Sequence, residues 1–262
     1  MSLILNTPVC ALSFEEALET VALWASQRES RCVVFLNVHS LMTGHSDPSF
    51  RSVLDRADRV LPDGAPIAWL LKLQGYRRQQ RLNGPDFMWR YLANASLRKE
   101  KIFLLGGTPE TLAALRFRIE TRFKGLVVAG SFSPPFRPLT LEEDDLIVQA
   151  IHDSGAQTVW VGLGCPKQER WMINHQGKIR AVMLGVGAAF NYHAGTLQRA
   201  PRWMQQAGLE WAYRLAREPR ALWRRYLVTN SLFLWRVLLE GGKVLLKKQI
   251  NPRRAKGRST GP

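Results

Sequence analysis

One carboxylate in the chain stands where a general base is useful. Asp63 follows Val60-Leu61-Pro62 and precedes Gly64, at the end of a short apolar run and just ahead of a helical stretch. Backbone N–H groups at such a turn orient a carboxylate, and apolar neighbours raise its proton affinity toward general-base duty. A plainer role is open at the same place, because an Asp ahead of a helix also serves as its N-cap. A second candidate is Gly162-Leu-Gly164-Cys-Pro166-Lys167-Gln168-Glu169. Its glycines let a backbone approach a phosphate, and a helix N-terminus beside a lysine attracts one. An ordinary strand–turn–helix with an exposed lysine fits the same letters. The third candidate is a run of arginines, Arg199, Arg202, Arg214, Arg217, Arg220, Arg224 and Arg225, interleaved with Trp203, Trp211, Tyr213, Trp223 and Tyr226. Guanidinium groups grip phosphate oxygens bidentately, and Trp and Tyr suit a lipid headgroup boundary. The alternative there is a solvated charged face behind a core stripe.

Several chemistries are excluded by what is missing. Gly185-Val-Gly187-Ala-Ala-Phe190 lacks the third glycine of a dinucleotide fingerprint, and no GxxxxGK[ST] or GxSxG occurs. The five histidines show no HExxH or HxH spacing, and no Asp-x-Asp follows a strand. The acidic run Glu142–Asp145 falls in a first helical turn, where carboxylates stabilise the helix dipole. Neither a metal site nor a cofactor is expected.

Charge is divided unevenly. The 262 residues carry 37 Lys+Arg against 21 Asp+Glu, a net of +16. Residues 1–198 hold 22 basic and 18 acidic side chains, whereas 199–262 hold 15 and 3, together with four of the nine tryptophans. A near-neutral body thus carries a basic, aromatic C-terminal module suited to a polyanion, an anionic membrane or a phosphorylated substrate. The three cysteines, Cys10, Cys32 and Cys165, form no CxxC, which fits a reducing compartment. The N-terminal MSLILNTPVCALSFEE has no basic n-region or long apolar core, so no signal peptide is expected, and no segment reads as a membrane span.

The elements that must position these residues alternate between short β-branched runs and helices. Capping boxes open helices at Ser13/Glu16 and Thr140/Glu143, and Asp47-Pro48 starts another. CVVFL (32–36), Arg59–Leu61, IFLL (102–105), LVVAG (126–130), TVWVGLG (158–164) and AVMLGVG (181–187) read as strands, mostly continuous apolar runs that must be covered on both faces. This predicts an α/β, Rossmann-like parallel sheet with helices on both faces over residues 1–198, then a basic helical appendage over 199–250 and a disordered basic tail over 251–262. The appendage reads as nearly continuous helix interrupted at Pro219 and Gly241-Gly242, with Val244–Ile250 a basic amphipathic continuation. Ligands of such sheets bind beyond the carboxyl ends of the strands. Asn37–Ser40, Pro62–Ala65, Gly106–Glu110, Gly162–Glu169 and Gly185–Asn191 are therefore expected to converge on one crevice.

Taken in order, these pieces resemble the WecG/TagA/CpsF family of bacterial glycosyltransferases. The similar blocks are Asn37 after a strand, Ala57-Asp-Arg-Val-Leu-Pro-Asp63-Gly64, Arg81-Leu-Asn-Gly84-Pro-Asp86 and Phe103-Leu-Leu-Gly106-Gly107. They continue with Val161–Glu169, Gly185-Val-Gly187, Ala194-Gly195, Arg199-Ala-Pro201 and Gly208-Leu-Glu-Trp211-Ala-Tyr-Arg214, and span roughly residues 5–235. The resemblance implies an inverting, metal-independent transferase that moves a sugar from a UDP-sugar onto a polyprenyl-diphosphate-linked sugar at the inner face of the cytoplasmic membrane. It implies Asp63 as base, Asn37 and Arg81 as active-site polar groups, and Gly64, Gly106, Gly107, Gly162, Gly164, Pro166, Lys167, Gln168, Glu169 and Asn191 around the donor. The arginines from Arg199 to Arg225 would hold the acceptor diphosphate and an anionic membrane. Phe35 stands where several members have Thr and Asn191 where many have Asp, so N-acetylmannosamine, its uronic acid and glucose all stay open as the donor sugar. Oligomeric state stays open too, including a homo-oligomer that hides the appendage. A basic α/β nucleic-acid-binding protein is the rival from another class. It needs neither the Pro166–Glu169 turn nor Asp63 among post-strand glycines.

Overall fold

The structure, a computed structural model, describes residues 1–250, apart from the side chains of Ala221, Arg224, Arg225, Tyr226 and 240–250. The chain opens with β1 (Ser2–Ile4), β2 (Thr7–Val9), α1 (Phe14–Ser26), β3 (Arg31–Leu36), α2 (Val38–Ser46), α3 (Pro48–Arg56), β4 (Arg59–Pro62) and α4 (Ala65–Leu73). It continues through α5 (Gly84–Leu97), β5 (Lys101–Gly106), α6 (Pro109–Arg122), β6 (Val127–Phe132), α7 (Leu141–Ser154), β7 (Thr158–Gly162), α8 (Lys167–Asn174), β8 (Val182–Gly185) and α9 (Ala189–Ala194). The last elements are α10 (Arg202–Gln206), α11 (Glu210–Arg217) and α12 (Pro219–Ile250).

Six strands form one parallel sheet in the order β4-β3-β8-β7-β5-β6, as the continuous apolar runs predict. Alternation along each strand divides the core in two. Val33 and Phe35 of β3, with Ile102, Leu104 and Trp160, meet α1, α5, α6 and α9 on one face. Cys32, Val34 and Leu36, with Phe103, Leu105, Val159 and Val161, meet α2, α3, α7, α8 and Phe233 of α12 on the other. The capping boxes at Ser13 and Thr140 and the Asp47 cap form as expected. Neighbouring β3 and β8 send their following helices, α2 and α9, to opposite faces, so a crevice opens between their carboxyl ends.

Three features depart from the expectations. An antiparallel β1–β2 hairpin precedes α1, turning through Leu5 and Asn6 with φ of +46° and +65°. The segment after β3 is helix α2 with Asn37 as its N-cap, whereas the next helix after that strand is expected only at Asp47. Helix α12 runs through Gly241-Gly242 without a break, since glycine costs a helix only about 1 kcal/mol per residue relative to alanine. The tail expected over 251–262 lies outside the described residues.

Gly106 shows why a glycine ends β5. Its φ is +111°, and a Cβ would lie 2.6 Å from the carbonyl carbon of Gly162 on the adjacent strand. Gly106→Ala is expected to destabilise the fold by about 2–5 kcal/mol, combining left-handed strain with a backbone clash. A urea midpoint that falls at unchanged m-value checks this; an unmoved midpoint refutes it.

Candidate active site

The expected crevice is a cavity of about 870 Å³ at the carboxyl ends of β3, β4, β7 and β8. Asn37, His39, Asp63, Gly64, Arg81, Gly162, Gly164, Gln168, Glu169 and Asn191 line it from the body, and Glu210, Arg214, Phe233 and Leu234 from the C-terminal helices. Four of the five post-strand segments converge here. The fifth does not: Gly106 packs on the Gly162 backbone, and Gly107 lies against Thr111 and Phe190 while its carbonyl accepts from Ser133 Oγ at 2.7 Å. Pro166 and Lys167 also stay out of the lining, with Lys167 exposed at the start of α8.

Asp63 is placed by the sheet. Its N–H donates to Leu36 O at 2.9 Å, which extends the β3–β4 ladder by one residue beyond β4 and turns the side chain into the cavity. It does not cap α4: the N-cap is Gly64, with no side-chain cap bond. Its carboxylate accepts from the Asn37 side chain and the Gly84 N–H, with Arg81 and Glu210 as the charges nearby. Burial pushes Asp63 up to about 6; Arg81 opposes this and Glu210 adds to it. The capping of α2 fixes the Asn37 amide, because its Oδ1 accepts the Ser40 N–H at 3.1 Å and leaves the nitrogen to donate to Asp63.

Around this carboxylate the polar groups are locked rather than loose. Gln168 Nε2 donates to Gly185 O and Glu169 Oε1, both at 2.9 Å, and Gln168 Oε1 accepts the Gly164 N–H at 3.2 Å. Glu169 is 1% exposed, and burial raises its pKa. Gly185 has no side chain because a Cβ would sit 2.8 Å from Met172 Cε and 3.1 Å from Gln168 Nε2. Phe35 meets Phe87 edge-on at 5.2 Å and forms an apolar part of the cavity wall. Asn191 sits exposed at the rim, its carbonyl accepting from the Thr196 and Leu197 N–H groups.

The arginines part company. Arg81 Nη1 pairs with Glu210 Oε2 at 3.0 Å. Arg199 is spent inside the protein: it pairs with Asp86, donates to Asn83 Oδ1 at 3.1 Å and to Glu210 Oε1 at 3.2 Å. Arg214 lines the cavity, and its buried Nε has no hydrogen-bond partner among the described residues. Arg202, Arg217 and Arg220 are exposed and outside the lining, with Arg217 donating to Gln198 Oε1 at 2.7 Å. The side chains of Arg224 and Arg225 lie outside the described residues. Glu210 was given no role by its sequence, although it stands in the Gly208–Arg214 block; only a partner 129 positions away reveals one.

Away from the cavity, Glu100 is buried among Tyr91, Arg98 and Thr158 at the amino ends of the strands, where it holds the fold. His193 stacks on Trp89 at 3.8 Å, donates from Nε2 to Pro85 O, and is held neutral by burial, down to about 4. Among the described residues no three His, Cys, Asp or Glu side chains cluster to hold a metal ion.

The model of the glycosyl transferase WecG/TagA/CpsF family matches residues 2–246. This is longer at both ends than the stretch of similar blocks and takes in Gly242–Leu246.

Proposed function

The chain belongs to the WecG/TagA/CpsF family and is a glycosyltransferase of cell-surface polysaccharide biosynthesis, and from that premise we propose how it works. It transfers a sugar from a UDP-sugar to a sugar carried on polyprenyl diphosphate, with inversion and without a metal. Asp63 takes the proton of the acceptor hydroxyl as that oxygen attacks the anomeric carbon. The bond from that carbon to the UDP oxygen breaks, and UDP leaves with the electron pair. Asn37 holds the Asp63 carboxylate in line, and Arg81 offsets the growing charge on the diphosphate. The observation that carries this reading is one carboxylate with raised proton affinity, hydrogen-bonded by Asn37 and flanked by Arg81, on the wall of a substrate-sized cavity.

The membrane part of the proposal rests on α12. Trp223, Leu227, Leu234 and Leu238 recur at spacings of four, seven and four, share one side of the helix and are 52–74% exposed. No helix among the described residues is long and apolar enough to cross a membrane. An exposed apolar stripe on a basic helix is what an interfacial surface helix presents to anionic lipid. The same helix lines the cavity through Phe233 and Val237, which supports an acceptor that enters the cavity from the lipid surface.

The test is transfer from a panel of UDP-sugars onto a short-chain lipid diphosphate-linked sugar, with EDTA present. Transfer with inverted anomeric configuration from one donor is the expected result. Dependence on added divalent metal, or retention of configuration, refutes the mechanism.

A further inference from the structure

Glu210 takes no part in the chemistry above, yet it pairs with two arginines beside the site, Arg81 and Arg199. It opens α11, outside the sheet, after a turn at Gly208 that leaves no slack: a Cβ on Gly208 would lie 3.0 Å from Ala65 Cβ and 3.1 Å from the Trp69 ring, both on α4. Each carboxylate oxygen is engaged by a different arginine, Oε2 by Arg81 at 3.0 Å and Oε1 by Arg199 at 3.2 Å. Arg199 is anchored in turn by Asp86 and Asn83 at the start of α5. Both Glu210 and Arg81 are largely buried, with side chains 19% and 18% exposed, so solvent screens the pair weakly. An exposed surface pair contributes little; this one links the C-terminal helices to the Arg81 loop next to Asp63.

We propose that Glu210 is a positioning residue for the transfer, holding Arg81 through its carboxylate and setting how much of the Arg81 charge reaches Asp63 and the departing diphosphate. The inference rests on Asp63 as the base. Asp63 is faced by Arg81 from the loop before α5, Glu210 from α11, the Asn37 amide at the start of α2 and the Gly84 N–H. His39 from α2, Glu169 from α8 and Arg214 from α11 line the same cavity, and Asp86 on α5 lies within the field of Arg81. Among these, Glu210 is the carboxylate that both neutralises Arg81 and repels a charge on Asp63. Removing its charge leaves Arg81 uncompensated beside Asp63, which favours the Asp63 carboxylate and makes it a weaker base.

The experiment compares the pH dependence of kcat/KM for wild type, Glu210→Gln, Glu210→Asp and Asp63→Asn in the full chain. Alongside it, the Asp63 carboxyl band is titrated by infrared difference against Asp63→Asn, which needs no substrate. For Glu210→Gln, both the acid limb and the carboxyl titration are expected to move down by about one pH unit, the low end for a nearby charge. Its kcat above pH 8 is expected to fall about tenfold, with KM for the donor little changed, as for a misplaced transition-state contact. Glu210→Asp keeps the charge and is expected to leave the titration near the wild-type value while still lowering kcat. Titrations of wild type and Glu210→Gln that coincide, or a loss confined to KM, overturn the proposal. Should Glu210→Gln lack a cooperative melt, a displaced titration in Glu210→Asp overturns it instead. If Asp63→Asn turns over like wild type, the base assignment has failed; if Asp63→Asn is inactive and Glu210→Gln titrates like wild type, only the role of Glu210 has.

Discussion

Asp63→Asn is expected to bind the UDP donor as wild type does and to transfer its sugar roughly 10²-fold more slowly or worse, the usual cost of a lost general base. It is also expected to be more stable at pH 8. The pKa of Asp63 is raised by burial from 3.8 to about 6, so the folded protein holds this proton more tightly than the unfolded chain. Stability from this group is therefore full below pH 4 and is lost as pH rises between about 4 and 6. Above that window the buried charge costs up to about 3 kcal/mol, at about 1.4 kcal/mol per pH unit, and asparagine does not carry it. Low activity with a raised urea midpoint at pH 8 and an unchanged one at pH 4 identifies a lost base in an intact site. Low activity with lowered stability at both pH values points to misfolding, and normal turnover removes Asp63 from the role. Wild-type transfer is expected to fall tenfold per unit below about pH 6, as the base takes up its proton.

The second large effect concerns the C-terminal helices. A chain ending at Ala200 is expected to lose binding to anionic vesicles and all measurable transfer. The apolar stripe of α12 goes with the deleted residues, and so do Glu210, Arg214 and Phe233 from the cavity wall. The sheet is expected to stay folded with a single cooperative melt, because both core clusters are built almost entirely from residues before 200. The melt is expected to be lowered, since α12 covers α2 and Phe233 is buried against the sheet's core, worth about 1.5–3 kcal/mol for one such side chain. Vesicle binding by wild type that resists high salt, with RNA binding that does not, separates apolar insertion from attraction to a polyanion. Retained vesicle binding by the shortened chain places the membrane surface on the body instead. An unfolded shortened chain makes the appendage part of the core.

The sheet, its strands and the crevice at their carboxyl ends were legible in the amino-acid order. Each rests on signals within a few residues: apolar runs such as Cys32–Leu36, capping boxes at Ser13 and Thr140, glycines after strands. The Asp63 turn was legible for the same reason. The N-terminal hairpin was not, because β1 and β2 are three residues each and gain their order by packing Ile4, Leu5 and Val9 into the core. Helix α2 was hidden because Asn37 reads as a post-strand loop until its amide is seen capping Ser40.

Read along the chain alone, the amino-acid order specifies the kind of protein: a parallel α/β body with a carboxylate at one strand end and a basic helical extension, since periodicity, caps and charge are local properties. Which residues share the site depends instead on the folded arrangement. It turned Gly106 and Gly107 into packing glycines, took Arg199 into an internal ion-pair network, and set Glu210 against Arg81 across 129 positions of chain. Such pairings depend on where distant helices dock, and on burial that strengthens the charges they bring together. No spacing along the chain encodes either.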